Sequence, residues 1–257
     1  MIGRQMPDLD FEQFDVLTFD CYGTLIDWEA GILAALRAPL AAHGIEESDE
    51  RLLESFARAE SQAEAGPYQS YRGVLGDVLS SIIREFDPAA DAAAGGQSSE
   101  DEGRASFVED AERDAFAASV KDWPAFPDSV PALARLHERF KLGVITNCDD
   151  DLFAASEEKL GLEFDWLVTA QQAKRYKPNP RGFELMFERV GLPPSRILHV
   201  AQSLYHDHVP AKRLGLSTVW VDRRGVRAGF GATPSAQATP DLAVPDVATL
   251  AELAAPK

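Results

Sequence analysis

Apolar and polar positions along this chain follow two different periods, and the change between them divides it. Near the start, Val16-Leu17-Thr18-Phe19 is a short, nearly continuous apolar run between Asp15 and Asp20, the pattern of a buried strand. From Ile32 onward the apolar positions recur at helical steps: Ile32, Leu33, Leu36 and Leu40, then Leu52, Leu53 and Phe56, then Val74, Leu75, Val78, Leu79, Ile82 and Ile83. Such spacing predicts amphipathic helices. Residues 87–105 interrupt it with small, polar and acidic side chains and read as a flexible surface loop. Helical pattern resumes over 107–120, and Pro124 and Pro127 mark a return linker.

Strand and helix patterns then alternate. Strands are predicted at 142–146, 166–168, 197–201 and 218–221, and helices at 130–140, 152–160 and 181–190, with a short one ending at 211–214. The segment 229–245, rich in Pro, Ala and Thr, reads as loosely packed, and 247–253 as a short closing helix. Strands alternating with helices imply an α/β fold, a parallel sheet wrapped by helices, with a helical insert after the first strand.

Composition narrows the function classes. The 257 residues, 45% of them hydrophobic, suit one large domain or a core with a smaller insert. A formal net charge of −17 opposes phosphate backbones and anionic lipid surfaces, so neither nucleic acid nor membrane is an expected partner. An anionic substrate would need a local cationic pocket. The segment Met1-Ile2-Gly3-Arg4-Gln5-Met6-Pro7 does not read as a signal peptide and no long apolar run follows, so a soluble cytoplasmic protein is expected. Cys21 and Cys148 fit neither a disulfide framework nor a zinc site and read as small buried fillers.

The chemistry gathers at predicted strand ends. Asp20 closes the first strand and opens the turn Cys21-Tyr22-Gly23-Thr24, where open α/β sheets bind ligands; it is a candidate nucleophile, though an Asp there also serves as a helix cap. Thr146 and Asn147 follow a strand and offer a hydroxyl and an amide to a substrate carboxylate or oxyanion; capping of the next helix is the other reading. Lys177 stands in the Pro-restricted stretch Tyr176-Lys177-Pro178-Asn179-Pro180, which aims its side chain, and Asp207 follows the strand at 197–201.

In this order Asp20, Thr146, Lys177 and Asp207 resemble the four motifs of the haloacid dehalogenase superfamily, over a stretch from Asp15 to Arg223. The resemblance implies a Rossmann-like parallel sheet core at 1–26 and 125–257, and a helical cap at 27–124. Phosphatases of that superfamily carry a second Asp two residues after the nucleophile as general acid, and bind Mg²⁺ with acidic residues of the fourth motif. Here those positions are Tyr22 and Gln202. A neutral amide is a poorer ligand for a hard dication, and Tyr22 leaves no carboxylic acid for an alkoxide, whereas halide departs without a proton. Asp20-Cys21-Tyr22-Gly23-Thr24 is similar to the form typical of type II, L-2-haloacid dehalogenases.

That resemblance implies metal-free hydrolysis of short 2-haloalkanoic acids to 2-hydroxy acids through an aspartyl ester, with fluoroacetate a candidate substrate and halide a product. It implies no cofactor; Mg²⁺ enters only under the alternative of a small-molecule phosphatase, and a non-catalytic binding protein on the same fold is a further alternative. By resemblance Asp20 is the nucleophile, Lys177 holds it ionised, Asp207 orients or deprotonates water, and Thr146 with Asn147 grips the substrate carboxylate. Ser203 supports Asp207 or the water, and Tyr22 walls the pocket, with Gln202 in the fourth motif beside it. Arg58 and Arg72 are the candidates to receive the halide, and Tyr71 is a candidate lining residue. The stretch Gln202-Ser203-Leu204-Tyr205-His206-Asp207 is one residue longer than the family's pattern. His206, Asp207 and His208 are not expected to bind a metal, since adjacent side chains point apart. An exposed cap in this family lends surface to homodimers.

Overall fold

The computed structural model describes residues 9–87, 108–225, 227 and 231–256. Six parallel strands form one sheet: β1 (Val16–Phe19), β2 (Lys141–Thr146), β3 (Trp166–Thr169), β4 (Ile197–Ala201), β5 (Ser217–Val221) and β6 (Leu242–Val244), in the order β3-β2-β1-β4-β5-β6. β1 lies between β2 and β4, and all its residues are buried, which is why its sequence shows no polar alternation. The chain leaves β1 toward β2 and β3, then returns to β4 on the other side. The order therefore reverses at β1, and the crevice beyond the carboxyl ends of β1 and β4 is where ligands enter such sheets.

β6 corrects one expectation. Within the stretch expected to pack loosely, Leu242 and Val244 point into the core and pair with β5 in the register Val219↔Leu242 and Val221↔Val244. At three residues followed directly by Pro245, it is too short for a periodic signal.

Between β1 and β2 run α1 (Trp28–Ala42), α2 (Asp49–Glu64), α3 (Tyr71–Phe86) and α4 (Asp110–Ala118). Each of the first three opens on a polar cap: Asp27, Ser48 and Ser70 accept from the backbone N–H of Ala30, Arg51 and Gly73. Their apolar stripes meet in one cluster holding Ile32, Leu36, Phe56, Leu75, Val78 and Ile82. Gly31 lets α1 close on Trp123, whose Cγ would lie 2.3 Å from any Cβ placed there. Beyond Asp87, the loop expected near 87–105 lies outside the described residues.

After β2 the chain forms α6 (Asp150–Leu160), α7 (Ala170–Ala173), α8 (Arg181–Val190), α9 (Val209–Arg213) and α10 (Val247–Ala254), with α5 (Ser129–His137) preceding β2. Arg181–Val190 coincides with the predicted helix. Among the described residues no helix is long and apolar enough to cross a membrane.

Candidate functional site

The crevice at the sheet's switch point is centred on one lysine. Lys177 Nζ donates to Asp20 Oδ1 at 2.8 Å, to Asp207 Oδ1 at 2.7 Å and to the carbonyl of Ile145 at 2.9 Å, so all three of its N–H donors are used. Asp20 is held from the other side by Thr24, whose hydroxyl donates to Oδ2 at 2.6 Å. The turn between them needs Gly23, which has a φ of +90°. Asp207 Oδ1 also lies 3.1 Å from His199 Nε2, and His199 Nδ1 lies 2.9 Å from Thr18 Oγ1. The sheet register makes that link: Thr18 and His199 are direct partners on β1 and β4, so their side chains share a face.

Burial alone lowers the Lys177 ammonium, yet the charges of Asp20 and Asp207 prevail and its pKa is raised. Burial likewise pushes Asp207 up, but Lys177 and the His199 hydrogen bond hold it well below the usual carboxylate range. For Asp20, burial outweighs the pull of Lys177 and its pKa is raised. The arrangement pairs an always-charged lysine with two carboxylates, which keeps a nucleophile-type oxygen and a second carboxylate in one buried place. Asp207 Oδ2 is buried without a hydrogen-bond partner.

Asn147 fixes where Lys177 stands. Its Oδ1 accepts from the Lys177 backbone N–H at 2.6 Å and its Nδ2 donates to the Lys177 carbonyl at 3.1 Å. The same Nδ2 reaches both oxygens of Glu64, at 3.2 and 3.3 Å. Asn147 is thus committed to protein groups. Thr146 ends β2 with its hydroxyl buried and unpartnered, but it is not among the residues lining the cavity.

The cavity between the sheet edge and the inserted helices spans about 360 Å³ of space between protein atoms. On the core side it is lined by Asp20, Tyr22, Lys177, Ser203, His206 and Asp207. Facing them are Trp28, Glu60, Glu64 and Tyr71 of the inserted helices. Tyr22 lines it as expected, with its hydroxyl 3.1 Å from Ser156 Oγ and accepting from Cys148 Sγ at 3.4 Å. Both cysteines are buried, as expected of fillers. Tyr71 lines it too, donating to Glu60 Oε1 at 2.7 Å.

Three expectations fail. Arg58 points away from the cavity, pairing with Glu85 at 2.6 Å, and its side chain is 54% exposed. Its position two residues after the buried Phe56 puts it on the opposite face of α2. Arg72 pairs with Asp151 at 2.6 Å on the surface, while its backbone N–H donates to Asp149 Oδ2. Gln202 lies outside the cavity: its backbone N–H donates to Thr24 Oγ1 at 2.9 Å and its Oε1 accepts from Thr233 Oγ1 at 3.4 Å.

The stretch after Ser203 forms one π-helical turn, Leu204–His208. Such turns occur frequently at functional sites. Ser203 caps it, accepting from the His206 backbone N–H at 2.9 Å, and its Oγ lies 3.2 Å from His206 Nδ1. Ser203 therefore holds His206 rather than the Asp207 side chain. Asp207 still meets Lys177, and His206 turns into the cavity with Nε2 buried, unpartnered and 3.9 Å from Glu64 Oε2. Burial lowers the His206 imidazole to about 4, so it is neutral near pH 7.

Glu60, Glu64 and His206 are the residues that sequence reasoning missed. The glutamates carried a signal: one turn apart on α2, they continue the buried stripe of Leu53 and Phe56. Burial pushes Glu60 up to about 8, and burial together with the charge of Glu60 raises Glu64 well above its ordinary range.

A model of haloacid dehalogenase-like hydrolases matches residues 14–215, and the chain belongs to that family. It is 27% identical over 116 residues to (S)-2-haloacid dehalogenase 4A of Burkholderia cepacia, across 44% of this chain and 50% of the relative. To (S)-2-haloacid dehalogenase of Pseudomonas sp. (strain YL) it is 34% identical over 116 residues, across 44% and 49%. The chain thus spans about half the length of these curated relatives. A nucleotidase and phosphatases also match. The crystal structure of a defluorinating L-2-haloacid dehalogenase superposes with a TM-score of 0.71 at 20% identity, over 93% of this chain and 94% of the other, which establishes the shared fold.

Proposed function

We propose that this hydrolase opens a carbon–halogen bond of a short 2-halogenated compound through a covalent ester on Asp20. The observation that carries the reading is the lysine shared between Asp20 and Asp207, at 2.8 and 2.7 Å, on a site whose second position after the nucleophile is a buried tyrosine. An Asp20 oxygen attacks C2, the carbon–halogen bond breaks, and the halide leaves with the bonding pair. Water then adds to the ester carbonyl, Asp207 takes its proton, and the 2-hydroxy product departs as Asp20 is regenerated. The 2-haloacids named for the relatives are the reference substrates.

The residues do not fit the Mg²⁺ of a phosphatase. The fourth-motif position that an acidic ligand would fill is Gln202, a neutral amide whose oxygen is turned away to Thr233. Tyr22 supplies no carboxylic acid for an alkoxide leaving group.

The test is halide release, in EDTA, from L- and D-2-chloropropionate, chloroacetate, fluoroacetate and 2-chloropropionamide, with Asp20→Asn as control. Release that requires Asp20 and ignores the chelator is expected. Phosphate ester hydrolysis dependent on Mg²⁺, with no halide from any compound, would replace this reading by the phosphatase one.

A further inference from the structure

The reacting wall of the cavity is charge-balanced except for one negative charge, while the wall opposite adds acids with no base. Lys177 is the only Lys or Arg lining the cavity among the described residues, and it is already spent on two carboxylates. Glu60 and Glu64 bring two further carboxyl groups, Glu60 buried and the Glu64 side chain 6% exposed. Two of the side-chain donors lining the cavity are engaged by these acids: Asn147 Nδ2 by Glu64 and Tyr71 Oη by Glu60. Glu64 thereby takes up the amide that a substrate carboxylate was expected to use. Two more buried atoms stand without partners here, Asp207 Oδ2 and His206 Nε2, the latter facing Glu64.

We propose that the part of the substrate facing α2 carries N–H donors and no negative charge, a primary amide or an ammonium group, which Glu60 and Glu64 hold by accepting its hydrogen bonds. This rests on Asp20 attacking carbon, and it sets the substrate class apart from the 2-haloacids. A carboxylate there would join four carboxyl groups around one shared lysine and would be held only where the glutamates keep their protons, whereas an N–H donor is accepted by a carboxyl oxygen in either protonation state. An amide or ammonium satisfies the same oxygens. The raised pKa values of both glutamates are the cost of holding these acids without such a partner.

The experiment needs no turnover. Calorimetric titration of the wild-type protein near pH 7 with L-lactate, L-lactamide and 1-amino-2-propanol compares a carboxylate, an amide and an ammonium on nearly one shape. Lactamide or the amino alcohol is expected to bind at least about tenfold more tightly than lactate. Glu64→Gln is expected to erase most of the preference for the ammonium while retaining amide binding, which separates the two sources of N–H donors. Lactate binding as tightly as the others, or no binding by any of the three, would overturn the proposal. Failure of the nucleophile reading looks different: the ligand order stands, but no halide is released from 2-chloropropionamide or 2-chloropropionate.

Discussion

The two walls of the cavity solve the same physical problem in opposite ways. On the core side, Asp20 and Asp207 are buried with a cation between them, and every donor of that cation is matched. On the side of the inserted helices, Glu60 is buried and the side chain of Glu64 is 6% exposed, and they receive only neutral donors, a phenol and an amide. A cation beside a buried carboxylate offsets the cost of its charge; a carboxyl given only neutral donors is pushed toward its protonated form. On the proposed function, reactivity belongs to the wall built by the sheet and selection to the wall built by α2 and α3.

Breaking the core wall has the largest expected effects. Asp20→Asn removes the attacking oxygen while preserving shape, and turnover of any halide substrate should fall by at least about 10³-fold, measured as halide release. Lys177→Met strips both carboxylates of their partner; activity should be lost, and denaturant unfolding should register a loss of about 3–5 kcal/mol, because uncompensated charge is left buried.

The opposite wall is sharpened by pH. Glu60 is pushed up to about 8 from an ordinary 4.5, so the folded protein holds that proton more tightly than the unfolded chain does. Its contribution to stability is complete below 4.5 and is lost as pH rises through about 8. Wild-type unfolding free energy should therefore decline across that window, and Glu60→Gln should flatten the decline. A variant as steep as wild type would place the titrating group elsewhere. Smallest of all, Arg58→Ala should change stability by within about 0.5 kcal/mol and leave halide release unaltered, since its ion pair with Glu85 is half-exposed on the outer face of α2.

The same contrast explains what was legible in the sequence. The core wall sits at strand ends, and strands announce themselves by apolar runs; Asp20 follows one directly, and Lys177 and Asp207 joined it through motif order. The parallel sheet followed from alternation, except β6, too short to carry a period. The helical wall was read less well because a helix face is decided by rotation. Arg58 was chosen for its charge, although two residues beyond Phe56 lies the outer face, while Glu60 lay on the buried stripe in view. His206 was not placed by the residue pattern, because the π turn that carries it sets His206 toward Glu64 and His208 onto the Ala201 carbonyl.

The most direct measurement of the central claim, a covalent ester on Asp20, is a single turnover with enzyme in excess over a halide substrate in heavy-oxygen water, followed by mass analysis of the peptide bearing Asp20. The account predicts that the heavy oxygen enters the Asp20 carboxylate, because water attacks the ester carbonyl, and that the hydroxyl of the product comes from the protein. Heavy oxygen found only in the product, with the Asp20 peptide unlabelled, would mean that water attacks C2 directly and would contradict it.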